Sequence, residues 1–157
     1  MAGALDELLG AAEQERVVAA VREAERRTSG QIKVHLEPRC RGDAFDRART
    51  LFGSLGLHAT WRRNAVLVYV APRDRKFAIL GDEGIHAVAG DALWARAAAA
   101  MKAGIAAGSL GDGLCAAVGE VGAALAREFP PEAGGANELP DDISVGGGTG
   151  GDPAGGR

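Results

Sequence analysis

Seven consecutive apolar residues, Ala65 to Ala71 ("AVLVYVA"), restrict this chain to few architectures. A run of this kind reads as a central strand covered on both faces, because a strand with one wet face would alternate. Pro72, Arg73, Asp74 and Arg75 then make a turn, and "KFAIL" (76–80) returns antiparallel beside it. A hairpin buried on both sides needs a layer above and a layer below.

The flanking periodicities supply those layers. Val17, Val18, Val21 and Ala24 form one helical stripe between Glu13 and Ser29, and Gly30 can take the left-handed stop. "QIKVHL" (31–36) alternates: Ile32, Val34 and Leu36 predict the better-buried face, Gln31, Lys33 and His35 the other. Asp43 is the expected N-cap of a helix carrying Phe45, Ala48, Leu51, Phe52 and Leu55 up to Gly56. After the hairpin, Asp91 is the expected cap of a helix with Leu93, Ala97, Met101 and Ile105. A last helix sets Leu114, Val118, Val121 and Leu125 on one stripe.

This order predicts an α/β fold, a three-layer α/β/α sandwich on a small mixed sheet. The first two strands are parallel through a crossover, and the third is antiparallel to the second. The expected divisions are an N-terminal segment 1–12, a domain 13–129 and a mobile Gly-, Pro- and acid-rich tail 130–157. One core suits 157 residues. Aromatics make up only 4%, so that core rests on Val, Leu and Ile.

Charge excludes one class of partner. Eighteen Lys and Arg face 21 Asp and Glu without gathering into a basic face, so nucleic acid is not expected. No apolar run reaches the ~18 residues of a membrane span, and the acids Asp6 and Glu7 stand where a secretory leader is basic. Direct membrane insertion is therefore not expected, and the expected location is the cytoplasm. Cys40 and Cys115 lack paired spacing and read as reduced thiols.

The hairpin topology has a chemical consequence. If the central strand starts at Asn64 and its neighbour ends at Leu80, then Asn64, Asp82 and Glu83 share one rim, with Arg62, Arg63, His86 and Asp91 close in sequence. Several readings of that cluster stand side by side. Asp82 and Glu83 suit a solvated connection between Gly81 and Gly84, and Arg62 and Arg63 suit them as ion-pair partners. Asn64, Asp82, Glu83 and Asp91 also offer oxygen donors to Ca or Mg, while His86 would suit Zn, which fits the set less well. His35 and His58 read as strand-face and loop residues, Trp61 and Trp94 as packing at this edge, with an exposed contact as the alternative for Trp61. No Cys phosphate loop, glycine-rich Lys-Ser/Thr loop or Ser-His-Asp order is present, which leaves metal-assisted hydrolysis as the catalytic alternative. In the tail, "NELPDDIS" offers Leu139, Asp141, Asp142 and Ile143 as a docking peptide for a protein partner, within residues 137–145; the alternative is solubilising linker.

"RTSGQIKVHL", "NAVLVYVAPRDRKFAILGDEGI", Asp91, "GSLGDGL" and the tail "NELPDDIS" together resemble the TPM domain. That family occurs in bacterial envelope proteins, chloroplast photosystem II repair proteins and an animal modulator of acetylcholine receptors. The resemblance covers about Glu13 to Phe129 and implies an α/β/α sandwich. It also implies a divalent cation at one sheet edge or acid phosphatase activity. Two positions depart from the pattern: Arg63-Asn64-Ala65 stands where many members read Asp-Asn-Gly or Asp-Asp-Gly, and His86 aligns with a glutamate. The expectation is a binding or accessory module in envelope maintenance or protein quality control. The alternatives are a metal-dependent acid phosphatase and a module that recognises its partner through the tail. Oligomeric state is left open.

Overall fold

The computed structural model describes residues 4–132 and 143–146. Among them are five helices, α1 (Ala4–Leu8), α2 (Ala11–Glu25), α3 (Ala44–Ser54), α4 (Glu83–Ala107) and α5 (Leu110–Glu128). Four strands, β1 (Gln31–Leu36), β2 (Ala65–Ala71), β3 (Lys76–Gly81) and β4 (Ile143–Val145), form one sheet in the order β3-β2-β1-β4. β1 runs parallel to β2 and β4, and β3 antiparallel to β2.

Side-chain alternation sorts the sheet into two cores. Ile32, Val34, Leu36, Val66, Val68, Val70 and Ile79 face the layer of α2, α4 and α5, where Val17, Val21, Leu93, Leu114, Val118 and Leu125 meet them. On the other face Ala65, Leu67, Tyr69 and Ala78 meet Ala48, Leu51 and Phe52 of α3. Both faces of β2 are thus covered and all seven of its residues are buried, as the apolar run requires. Each fully buried large aliphatic contributes about 1.5–3 kcal/mol. The three-layer α/β/α sandwich with a mixed sheet is the observed architecture.

Local expectations hold where a cap or turn chemistry set them. The Asp43 carboxylate accepts from the Asp46 N–H and opens α3; Gly56 takes the left-handed conformation after it. Ser109, for which the sequence set no expectation, opens α5 by accepting from Asp112 N–H.

Four expectations are corrected. β1 is buried at every residue, Gln31 (4% exposed), Lys33 (7%) and His35 (3%) included, because it is an interior strand flanked by β2 and β4. The helix expected from Asp91 starts at Glu83, capped by Asp82, and is kinked at Gly90 (φ 68°) just before Asp91. Ordered structure does not end near Phe129, since Ile143–Val145 add a strand to β1. It also begins before Glu13: α1 lies upstream and Leu9 is buried. The remainder of the expected mobile tail, with Leu139, Asp141 and Asp142, lies outside the described residues.

Candidate functional site

The rim predicted from the hairpin forms through backbone pairing. Val66 is opposite Gly81, and the Asp82 N–H donates to the Ala65 carbonyl at 2.9 Å, so the start of β2 and the exit of β3 meet. The Asn64 N–H donates to Thr60 Oγ1 at 3.2 Å, which folds the preceding loop back under the strand. Arg63 sits at φ 54°, and its carbonyl accepts the N–H groups of Gly84 (2.8 Å) and Ile85 (3.3 Å). The loop thereby satisfies first-turn donors of α4 that have no partner within the helix.

Gly84 is required by that arrangement. A Cβ there would lie 2.1 Å from the Arg62 carbonyl oxygen and 2.5 Å from that of Arg63, and backbone cannot swing aside. Gly84→Ala is expected to cost about 1–3 kcal/mol by overpacking, although alanine is the better helix former. Chemical denaturation measures it, and an unchanged midpoint would refute the close approach.

The charge at the rim is concentrated on Asp82, whose side chain is 2% exposed. Arg63 grips it with both ends of its guanidinium, Nε to Oδ2 at 2.7 Å and Nη2 to Oδ1 at 2.9 Å. The Glu83 N–H donates to Oδ1 at 2.8 Å, and His58 Nδ1 lies 3.2 Å from the same oxygen. Burial alone pushes this carboxyl up; Arg63, the Glu83 amide and His58 outweigh it and hold it below the usual aspartate range. His58 Nδ1 also lies 3.0 Å from Arg63 Nη2. A neutral ring with its proton on Nε2 accepts from Arg63, whereas a proton on Nδ1 turns the ring toward Asp82.

The sequence pattern of the TPM domain matches residues 4–124. The chain belongs to the TPM-domain family. Its fold is similar to the NMR structure of BA42 from the psychrophilic bacterium Bizionia argentinensis: TM-score 0.82 and 40% identity, over 88% of this chain and 95% of that one. The chain has no match among curated proteins.

The family likeness invites a divalent cation at this rim, and the residues of this TPM domain do not fit one. The Asp82 oxygens are taken up by a guanidinium, an amide and an imidazole, so the charge a cation would supply is already present. Glu83 is exposed and 3.5 Å from Arg63 Nη1. Asn64 is buried; its Nδ2 donates to Ser29 Oγ at 3.4 Å and its Oδ1 has no partner among the described residues. His86 turns outward, its Nδ1 accepting from Trp94 Nε1 at 2.9 Å. Asp91 is exposed beyond the Gly90 kink. The rim thus joins Asn64, Asp82 and Glu83, and leaves His86 and Asp91 aside. Among the described residues no group of three or more His, Cys, Asp or Glu is placed to hold a metal.

Two rim residues differ from their sequence reading. His58 is a partner of the buried acid, not a bystander in a loop. Trp61 is 68% exposed and stacks on the Arg62 guanidinium at 4.1 Å, so it is a surface group rather than packing. Trp94 does pack, lying against the partly buried edge of the larger core.

The TPM domain carries a second polar cluster at the opposite end of β1, which the sequence reading passed over. Glu37, fully buried, accepts from Arg47 Nε at 3.0 Å, from its Nη2, and from the Tyr69 hydroxyl at 2.7 Å. His35 Nε2 lies 3.9 Å away, and its Nδ1 shares a 2.6 Å hydrogen bond with Ser144 Oγ. Burial raises the Glu37 carboxyl, but His35, Arg47 and Tyr69 bring it down to about 2. The available signal was a glutamate directly after an alternating strand, two residues beyond His35, whose partner across the ladder is Tyr69.

Proposed function

We propose that this TPM domain is a binding and accessory module that works on a protein partner in envelope maintenance or protein quality control, and that its rim acts without a divalent cation. The observation that carries this reading is the saturation of Asp82: its one buried carboxylate is held by Arg63, His58 and the start of α4. Metal-assisted phosphoester hydrolysis needs carboxylates free to hold a cation and its water. Exposed Trp61, stacked on Arg62, places beside the rim the residue types that most often anchor protein contacts. The free thiols Cys40 and Cys115 agree with a reducing compartment, and a cytoplasmic location is part of the proposal. No helix among the described residues is long and apolar enough to cross a membrane.

Calcium, magnesium and zinc, each titrated to millimolar concentration, are expected to leave the melting temperature unchanged, since a ligand that prefers the folded state would raise it. A rise, together with phosphomonoester turnover abolished by chelator and by Asp82→Ala, would replace this reading with the phosphatase one.

A further inference from the structure

The two edges of the sheet are treated differently. At the far side from β3, the N–H of Ile32 on β1 donates to Glu25 Oε2 at 2.7 Å, and the short edge strand β4 pairs the rest of β1, with the Gly146 N–H donating to Leu36 O. On β3 nothing comparable is present among the described residues. The Asp82 N–H bonds Ala65, and inward bonding alternates, so Lys76, Ala78 and Leu80 pair with β2 while the backbones of Phe77, Ile79 and Gly81 face away. Beyond the ladder, Phe77, Ile79 and Gly81 form no hydrogen bond among the described residues.

The Phe77–Ile79 part of that edge forms the floor of a groove of about 570 Å³ between two helices; Gly81 lies beyond it, against the Trp94 ring. One wall is the start of α3, with Phe45 45% exposed; the other is the Trp94, Ala98, Lys102 stripe of α4, one residue per turn. Ala98 keeps the second wall low. Arg75, Lys76 and Lys102 line the groove against one acid, Asp43. Asp43 is spent on the Asp46 N–H, and Lys76 Nζ on the carbonyls of Cys40 and Gly42, which leaves Arg75 and Lys102 as exposed cations.

We propose that this groove is a strand-addition site, in which an extended acidic segment of a protein partner pairs with Phe77 and Ile79. Main-chain hydrogen bonds to the edge supply affinity, and side chains entering between α3 and α4 supply selectivity. Partner acids meet Arg75 and Lys102, and its alternate apolar residues meet Phe45 and Phe77. The walls on either side admit a single strand, which disfavours pairing with the equally recessed edge of a second copy. The inference deepens the binding-module reading but uses a surface other than the rim, so it can fail while the metal titration still supports that reading.

The test uses the full chain, ¹⁵N-labelled, with the acetylated and amidated heptapeptide Glu-Asp-Val-Thr-Val-Asp-Glu. The expected result is movement of the Phe77 and Ile79 amide resonances at millimolar peptide. The counterpart with lysine at all four acidic positions should leave them still. Ala98→Trp, which fills the groove, should weaken binding by at least about tenfold with an unchanged melting temperature, and so should Arg75→Glu with Lys102→Glu. Shifts confined to β1 or the rim, equal effects of the two peptides, or no shift would overturn the proposal. Concentration-dependent dimerisation of the free chain lost in Ala98→Trp would overturn it in favour of a second copy.

Discussion

Glu37→Ala is expected to lower the unfolding free energy by about 3–5 kcal/mol, the range for breaking a buried charge pair from one side. The side chain is fully buried and holds Arg47 and the Tyr69 hydroxyl at once. Its loss leaves a guanidinium only 13% exposed and a buried hydroxyl with no acceptor. Glu37→Gln keeps an acceptor but not the charge, and should cost less. The two variants also differ from the parent in acid. Glu37 falls from 4.5 to about 2 on folding, so its contribution is complete above pH 4.5 and is lost as the pH falls toward 2. The difference corresponds to roughly 3 kcal/mol at neutral pH. Urea midpoints measured from pH 7 to pH 2 decide the matter. Coincident curves for parent and Glu37→Ala, or an acid slope undiminished in Glu37→Gln, where Asp82 still contributes its own share, would show that the cluster does not stabilise the fold.

The same residues show how far the sequence could be read. β2 was legible because seven apolar residues in line admit one environment, and the rim followed from it, since an antiparallel return must bring residue 82 beside residue 65. The cap at Asp43 was legible because its chemistry is local. Burial of Lys33, His35 and Glu37 was not, because it depends on what lies beside β1, and the strand beside it comes from more than a hundred residues away. A polar alternation in β1 looks identical whether the second face meets water or a buried ion pair. Asp91 drew the cap assignment from the apolar stripe behind it, yet the helix was already under way: Asp82 and the Arg63 carbonyl satisfy its first turn, and Gly90 absorbs the change of direction. At the rim, the swap of an acid for Arg63 was visible in the sequence. That its guanidinium grips Asp82 from both ends needed coordinates.

Ile143→Asp in the full chain is expected to cost about 2–4 kcal/mol, the sum of one buried aliphatic and part of a short hydrogen-bonded ladder. Ile143 is 8% exposed and belongs to the larger core; it sits opposite Val34, with Ser144 opposite His35 and Val145 opposite Leu36. Removing residues 133–157 should cost at least as much and turn β1 into an exposed edge, seen as concentration-dependent aggregation. An unchanged urea midpoint in both variants would mean that β4 contributes nothing. The size of the effect also bears on the tail as a docking peptide. A partner that takes hold of Ile143 must first strip it from the sheet, and 2–4 kcal/mol lowers the apparent affinity by roughly 30- to 700-fold. The full chain would then bind such a partner far more weakly than a free peptide of residues 137–145 does, and equal affinities would show that β4 is released without cost.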